Sequence, residues 1–465
     1  MLWMYFLALA MGCNQFLVVD FPAITSQGGA LTQGEVWFKP GEGLFVNIFH
    51  SIGEDTQRSF LYAYRLAKVP CRVDVELSSD VVGGSGGLLA YIILKYQVNN
   101  TIASGAIDSA GNVYPIGGLK EKIEASQPNY DHFITSVSSP YQYYIVKYLF
   151  PDYNITLVNH VSELYMYDGK VYGGWNTSEV FYYPPIPKNP SAYDVSFLRE
   201  DYEMLKNEIL SHPLEMEDLE EYYFNLTTIT DQIAQKGYYY SAANYLFLAA
   251  AEKVALYYLS RNKSAEELRE RVIECLDSFE VVGNTEDDIA ARVRKGWAED
   301  VLNKSYGSLY DDRFAQLYEY EQAYLWCKLA QSIHRNQHIS YDWDYLERLQ
   351  KQWLKEGYST EEKYKQAIFS IDDLLVSLYN LAFVVEGETE FKDYNSRWAA
   401  VYASQAQYLK ETNASYRSTL SVANNLEKVF GAKQEEEFIK VLVGIIIVLV
   451  AGYVYLLFKG AKKVL

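Results

Sequence analysis

A serine hydroxyl beside a lysine amine can cleave acyl bonds without a metal or cofactor, and this chain carries both groups in suitable settings. Ser85 stands inside Gly83-Gly84-Ser85-Gly86-Gly87, at the opening of an apolar run. Lys120 stands inside Pro115-Ile116-Gly117-Gly118-Leu119-Lys120-Glu121-Lys122-Ile123-Glu124-Ala125. The hydroxyl is a weak nucleophile until a neighbour accepts its proton, and a lysine does so only when its amine is neutral. Lowering a lysine from near 10.4 to roughly 7 or 8 takes about 3 to 5 kcal/mol of selective ammonium destabilisation, which burial supplies. Val113, Tyr114 and Ile116 provide apolar surroundings for Lys120, and Gly117 and Gly118 let the backbone approach closely. Gly84 and Gly86 permit a tight turn at Ser85, and a helix starting at Gly86 would aim its free N–H groups at a developing oxyanion.

Elements that could position these groups follow from periodicity. Val36 to Lys39 and Leu44 to Phe49 read as strands around the turn Pro40-Gly41-Glu42-Gly43. Asp55 to Leu66 has helical spacing, Cys71 to Leu77 alternates, and Gly86 to Tyr96 suits a buried helix. Thr101 to Ile107 and Val113 to Ile116 read as strands, Leu119 to Ala125 as a helix, and Phe133 to Val137 and Ile155 to Val158 as the last strands. Pro184-Pro185-Ile186-Pro187-Lys188-Asn189-Pro190 reads as a linker, because clustered prolines join neither helices nor central strands. Beyond it, stretches such as Ser241 to Leu259, Ala265 to Phe279 and Asp312 to Ile333 are helical, with no repeat of fixed period.

The run Gly111-Asn112-Val113-Tyr114-Pro115-Ile116-Gly117-Gly118-Leu119-Lys120-Glu121-Lys122, preceded by Ser104-Gly105-Ala106-Ile107 and by Ser85 at a glycine-rich turn, resembles the proteolytic domain of Lon-type (S16) Ser-Lys proteases. The resemblance covers about residues 31 to 167 and implies Ser85 as nucleophile, Lys120 as base and Ser104 as the hydroxyl that orients the base. It departs from the family at Gly84, where Pro or Asp is usual, and at Gly86, where Ala is frequent. The Gly-x-x-x-x-Gly-Lys-Ser/Thr loop of the family's ATPase module is missing from the whole chain. Flexible or already unfolded polypeptides are therefore the expected substrates, and the membrane-anchored, motor-free form points to an archaeal source.

The rest of the sequence bounds the setting. A net charge of -19 and the lack of a basic stripe argue against a nucleic-acid partner. Leu2 to Gly12 is a short apolar stretch that reads as a signal peptide or N-terminal apolar segment, and Met11-Gly12-Cys13 loosely resembles a lipoprotein cleavage site. Val441 to Phe458 is an uncharged run of transmembrane length. Flanking Glu435 to Glu437 and Lys459, Lys462 and Lys463 orient it with a cytoplasmic tail. Seven Asn-x-Ser/Thr sequons, at Asn99, Asn154, Asn176, Asn225, Asn262, Asn303 and Asn413, exceed chance and favour a glycosylated ectodomain. Cys71, Cys275 and Cys327 are too far apart in sequence to imply a disulfide framework. His334 and His338 read as surface helix residues rather than metal ligands, and the acidic run Glu215 to Glu221 as a helix start.

The expected fold class is an α/β (α+β) Lon-type proteolytic domain, then an all-α helical domain, then one C-terminal transmembrane helix. The boundaries are an N-terminal apolar segment at 1–22, the protease domain at 31–167, a Pro-rich linker at 168–191, the helical domain at 192–432, the transmembrane helix at 439–458 and a basic tail at 459–465. The expected function is an ATP-independent, membrane-anchored, extracytoplasmic serine endopeptidase. It would use Ser85 and Lys120, supported by Ser104, Gly84 and Gly86, with no cofactor and no metal. Its expected partners are polypeptide substrates and, through the C-terminal helix, the membrane, with homo-oligomerisation left open. The competing expectation is a catalytically inactive surface protein that binds or scaffolds through its helical domain.

Overall fold

The computed structural model describes residues 13–25, 28–48, 53–78, 83–174, 181–303, 313–357 and 373–431. They fall into two compact units, Met1–Tyr182 and Tyr183–Leu465.

The first unit is mixed α/β. Its four-stranded sheet has the order β1 (Gln15–Thr25), β2 (Gly28–Lys39), β4 (Arg72–Leu77), β3 (Leu44–Ile48). β1 and β2 form a long antiparallel ribbon from Gln15 opposite Phe38 to Thr25 opposite Gly28. β2 runs antiparallel to β4, with Gly34 opposite Leu77 and Lys39 opposite Arg72. β3 runs parallel to β4, with Leu44 opposite Val73. The turn at Pro40 to Gly43 thus does not close a hairpin: β4 enters between β2 and β3, and helix α1 (Glu54–Ala67) makes the crossover that a parallel pair requires.

Helix α2 (Gly87–Tyr96) is apolar almost all round, and Gly87 to Leu94 are all buried, as a helix covered on every face must be. After it come β5 (Ile102–Ser104), the hairpin β6 (Ala106–Ile107) and β7 (Val113–Tyr114), then helix α3 (Leu119–Ser126), β8 (His132–Thr135), helix α4 (Pro140–Tyr144) and β9 (Asn154–Leu157). β5, β8 and β9 form a parallel three-stranded sheet, Ile102 facing Phe133 and Phe133 facing Ile155. A last hairpin, β10 (Leu164–Tyr167) and β11 (Lys170–Gly173), completes the unit.

The second unit is helical: α5 (Arg199–Ser211), α6 (Glu217–Gln235), α7 (Tyr239–Ser260), α8 (Ala265–Asp277), α9 (Glu286–Asn303), α10 (Arg313–Ile333), α11 (Trp343–Gly357), α12 (Leu374–Leu381), α13 (Arg397–Glu411) and α14 (Arg417–Leu426). Tyrosine rings fill its interfaces edge to face, as Tyr238 against Tyr408 at 5.7 Å and Tyr240 against Tyr402 at 5.4 Å. One of these hydroxyls reaches a main-chain acceptor. Tyr408 Oη donates to the Pro185 carbonyl oxygen at 2.9 Å.

Several sequence expectations are corrected here. The fold class included a transmembrane helix, but among the described residues no helix is long and apolar enough to cross a membrane, and 439–458 lies outside them. Residues 1–12 also lie outside. The apolar segment placed at 1–22 overlaps β1, which is a full partner in the sheet rather than a leader. The described parts of the segment at 168–191 are no free linker: Lys170–Gly173 form β11, and Pro185 and Lys188 accept hydrogen bonds from Tyr408 and Lys236 within the second unit. His334 and His338 follow the end of α10 at Ile333 instead of sharing a helix face, and His334 stacks on Phe279 at 5.3 Å.

Two disulfides appear that spacing gave no reason to expect. Cys13 bonds Cys71, with Cα atoms 5.5 Å apart, and Cys275 on α8 bonds Cys327 on α10, 6.3 Å apart. A bonded thiol carries no lipid, so Cys13 is not an acylated cysteine in this fold.

Candidate active site

Ser85 lies in a short 3-10 turn, Gly84–Gly86, that runs directly into α2. Its side chain is half-buried. The turn is fastened by its main chain: the Ser85 carbonyl oxygen accepts the Gly105 N–H at 2.8 Å, and Leu88 N–H donates to the Gly105 carbonyl oxygen at 3.0 Å. These reciprocal bonds lock the head of α2 to the junction between β5 and β6.

The lysine that meets Ser85 is Lys122. Its Nζ lies 3.1 Å from Ser85 Oγ, and the residue is only 4 % exposed. Burial lowers its pKa to about 8, while the neighbouring Glu121 carboxylate partly opposes the shift. Lys120 is instead on the solvent side of α3, 3.8 Å from Glu124 Oε1, one helical turn away. The structure thus brings Lys122 to Ser85, two residues on from the expected Lys120.

The physical reason is helical phase. α3 buries Leu119, Lys122, Ile123 and Ser126. Positions three, four and seven apart share a helix face, so Leu119 and Ile123 mark the inward side and Lys122 falls on it. Lys120 and Glu124 form an outward i, i+4 pair. Both lysines belong to the same Leu-Lys-Glu-Lys run, and the apolar spacing around them was the signal that distinguishes them.

Ser104 is fully buried, but its hydroxyl donates to the Ser85 carbonyl oxygen at 3.3 Å rather than to a lysine. Its own carbonyl oxygen accepts the Thr135 hydroxyl at 2.8 Å, which ties the site to β8. Ser104 thus braces the main chain at Ser85. The helix-end donors expected for an oxyanion are partly used internally, since Gly87 N–H closes on the Gly84 carbonyl oxygen and Leu88 N–H on Gly105.

The glycines separate by steric need. A Cβ at Gly86 would meet nothing nearer than Phe21 Cδ1 at 3.5 Å, an ordinary contact, and its backbone is right-handed helical. A Cβ at Gly84 would lie 2.8 Å from Ser59 Oγ, and one at Gly29 only 1.9 Å from the Glu121 carbonyl oxygen. Gly29 thus lets β2 lie directly against the helix that carries Lys122. Gly86→Ala should keep activity within about twofold, whereas Gly29→Ala should displace α3 and lower kcat by about a hundredfold, since ångström-scale misplacement costs that much. Steady-state kinetics on both variants checks the contrast.

Among the described residues, no group of three or more His, Cys, Asp or Glu is placed to hold a metal. Of the described sequons, Asn99, Asn154, Asn262, Asn303 and Asn413 are exposed and Asn225 is half-buried, whereas Asn176 lies outside the described residues. Compared with known proteins, no family model and no curated protein matches this chain.

Proposed function

We propose that the chain is an ATP-independent serine endopeptidase working through a Ser85–Lys122 dyad. One observation carries the reading: a buried lysine amine, lowered to about 8, sits 3.1 Å from a hydroxyl on a braced turn. With Lys122 neutral, the Ser85 hydroxyl donates to its lone pair. Ser85 Oγ attacks the scissile carbonyl carbon as the proton passes to Nζ, and the ammonium returns that proton to the departing amine. Water then attacks the acyl-enzyme by the same route, releasing the acid and regenerating Ser85. The main-chain N–H of Ser85 would serve the oxyanion, ahead of the helix donors already in use.

The sequence resemblance to Lon-type proteases agrees with this chemistry, with Lys122 in place of Lys120 as base. Exposed sequons and two disulfides favour an extracytoplasmic, oxidising location. Without a motor, the substrates would be chains that arrive unfolded.

Purified protein incubated with an unfolded polypeptide in the absence of ATP should cleave it, and Ser85→Ala should abolish the cleavage. Persistence of cleavage in Ser85→Ala would sink the dyad. The neutral amine is the active form, so kcat/KM should rise with pH and level off above a midpoint of about 8. A profile that is already flat at pH 6 would exclude a lysine base.

A further inference from the structure

We infer that Thr56 and Ser59, on helix α1, are positioning residues that hold the nucleophile turn against Lys122; the inference rests on the Ser85–Lys122 reading. Thr56 Oγ1 donates to the Gly83 carbonyl oxygen at 2.9 Å, and Ser59 Oγ donates to the Gly84 carbonyl oxygen at 2.8 Å. These are the two carbonyls immediately before Ser85. The two hydroxyls are three residues apart, so they project from one face of α1 and clamp consecutive peptide units. Thr56 is 1 % exposed and Ser59 4 % exposed, unlike typical serines and threonines of a helix surface.

A glycine-rich turn has little side-chain packing to fix it. Gly83 has φ of 100°, which a residue with a Cβ rarely adopts, and a Cβ there would find no neighbour within 4 Å. Order at this point must come from hydrogen bonds. On the far side of the turn, Gly105 N–H and the Ser104 hydroxyl grip the Ser85 carbonyl oxygen. Three consecutive carbonyls, of Gly83, Gly84 and Ser85, are thus held from α1 and from the β5–β6 junction. Ser59 also lies where a Cβ on Gly84 or Gly87 would stand, at 2.8 and 3.0 Å. The glycines are therefore what admits the clamp, and the clamp replaces the rigidity that they remove.

The clamp has a consequence for the base. Lys122 Nζ is buried and touches the turn at Ser85 Oγ, so releasing the turn should admit water and let its titration midpoint climb back towards that of a free lysine. The test compares wild type with Thr56→Val, Ser59→Ala, the double variant and Thr56→Ser, which keeps the hydroxyl. Peptidase kinetics should show kcat lower by about tenfold in each single hydroxyl deletion and more in the double variant, with KM little changed and Thr56→Ser near wild type. NMR titration of the Lys122 ε-methylene, assigned by its loss in Lys122→Arg, should place the double variant's midpoint roughly one unit above wild type. Unchanged kcat together with an unchanged midpoint overturns the inference. If wild type cleaves nothing, the endopeptidase reading fails while the Lys122 titration still decides whether Thr56 and Ser59 hold the turn. Circular dichroism of each variant confirms that it is folded before either readout is taken.

Discussion

Lys122→Met should lower kcat/KM by at least about a thousandfold while Lys120→Met leaves it within about twofold, because losing the proposed base of a hydrolytic dyad costs that much and an exposed ion pair is worth little. The comparison is sharp because the two positions are separated by a single residue on one helix. A second readout makes Lys122→Met more than a loss-of-function control. Its pKa is lowered from 10.5 to about 8 by burial, so the folded state is penalised for holding the ammonium form. The sign follows from linkage: below about pH 8 the lysine is charged in both states and the penalty is full, and it fades as pH rises from 8 to 10.5. At pH 7 the methionine variant should thus be more stable than wild type, by about 3 kcal/mol at most. Thermal or urea unfolding at pH 7 and at pH 10 measures it. A variant that is inactive and also unstable would mean that Lys122 supports the fold rather than the reaction.

Removing either disulfide should have the next largest effect. Cys13–Cys71 closes a separation of 58 residues and Cys275–Cys327 one of 52. Loops of that length restrict the unfolded chain enough to be worth about 4 kcal/mol each in the chain-entropy description. The two bonds lie in different units, so their consequences should differ. Cys13→Ala with Cys71→Ala frees the start of β1 from the residue just before β4, and Phe21 of β1 packs near Gly86 and Phe60 beneath the nucleophile turn. That variant should lose thermal stability and activity together. Cys275→Ala with Cys327→Ala should destabilise the helical unit and leave the kinetics of the site unchanged at temperatures where it stays folded. Differential scanning calorimetry beside peptidase assays separates the outcomes, and equal loss of activity in both pairs would contradict the assignment of the site to the first unit.

Much of the first unit was legible because its elements announce themselves locally. The helical spacing of Asp55 to Leu66, the apolar run after Gly86 and the alternation of Cys71 to Leu77 all lie within a residue or two of observed elements. Sheet order was not legible in the same way. The Pro40 to Gly43 turn has hairpin composition, yet β4 inserts between β2 and β3, since strand partners are selected by packing across the whole sheet. β1 was hidden by its apolar neighbours at the N-terminus, where a buried strand and a leader have the same composition.

The sequence by itself suggested the reaction class proposed here, through the resemblance of the Ser85 turn and the Gly111 to Lys122 run to Lon-type proteases. It also fixed the inward face of α3, although the choice between Lys120 and Lys122 depends on reading Leu119 and Ile123 as its markers. Only the tertiary structure decided which amine is dry. Desolvation is a property of everything packed around a group, and one of the groups against the Lys122 amine, the Ser85 hydroxyl, comes from 37 residues away. It likewise decided the cysteine pairs, which close only when β1 and β4, or α8 and α10, have docked. Chemistry that needs a residue type can be read along a chain; chemistry that needs an environment is settled when distant segments exclude water together.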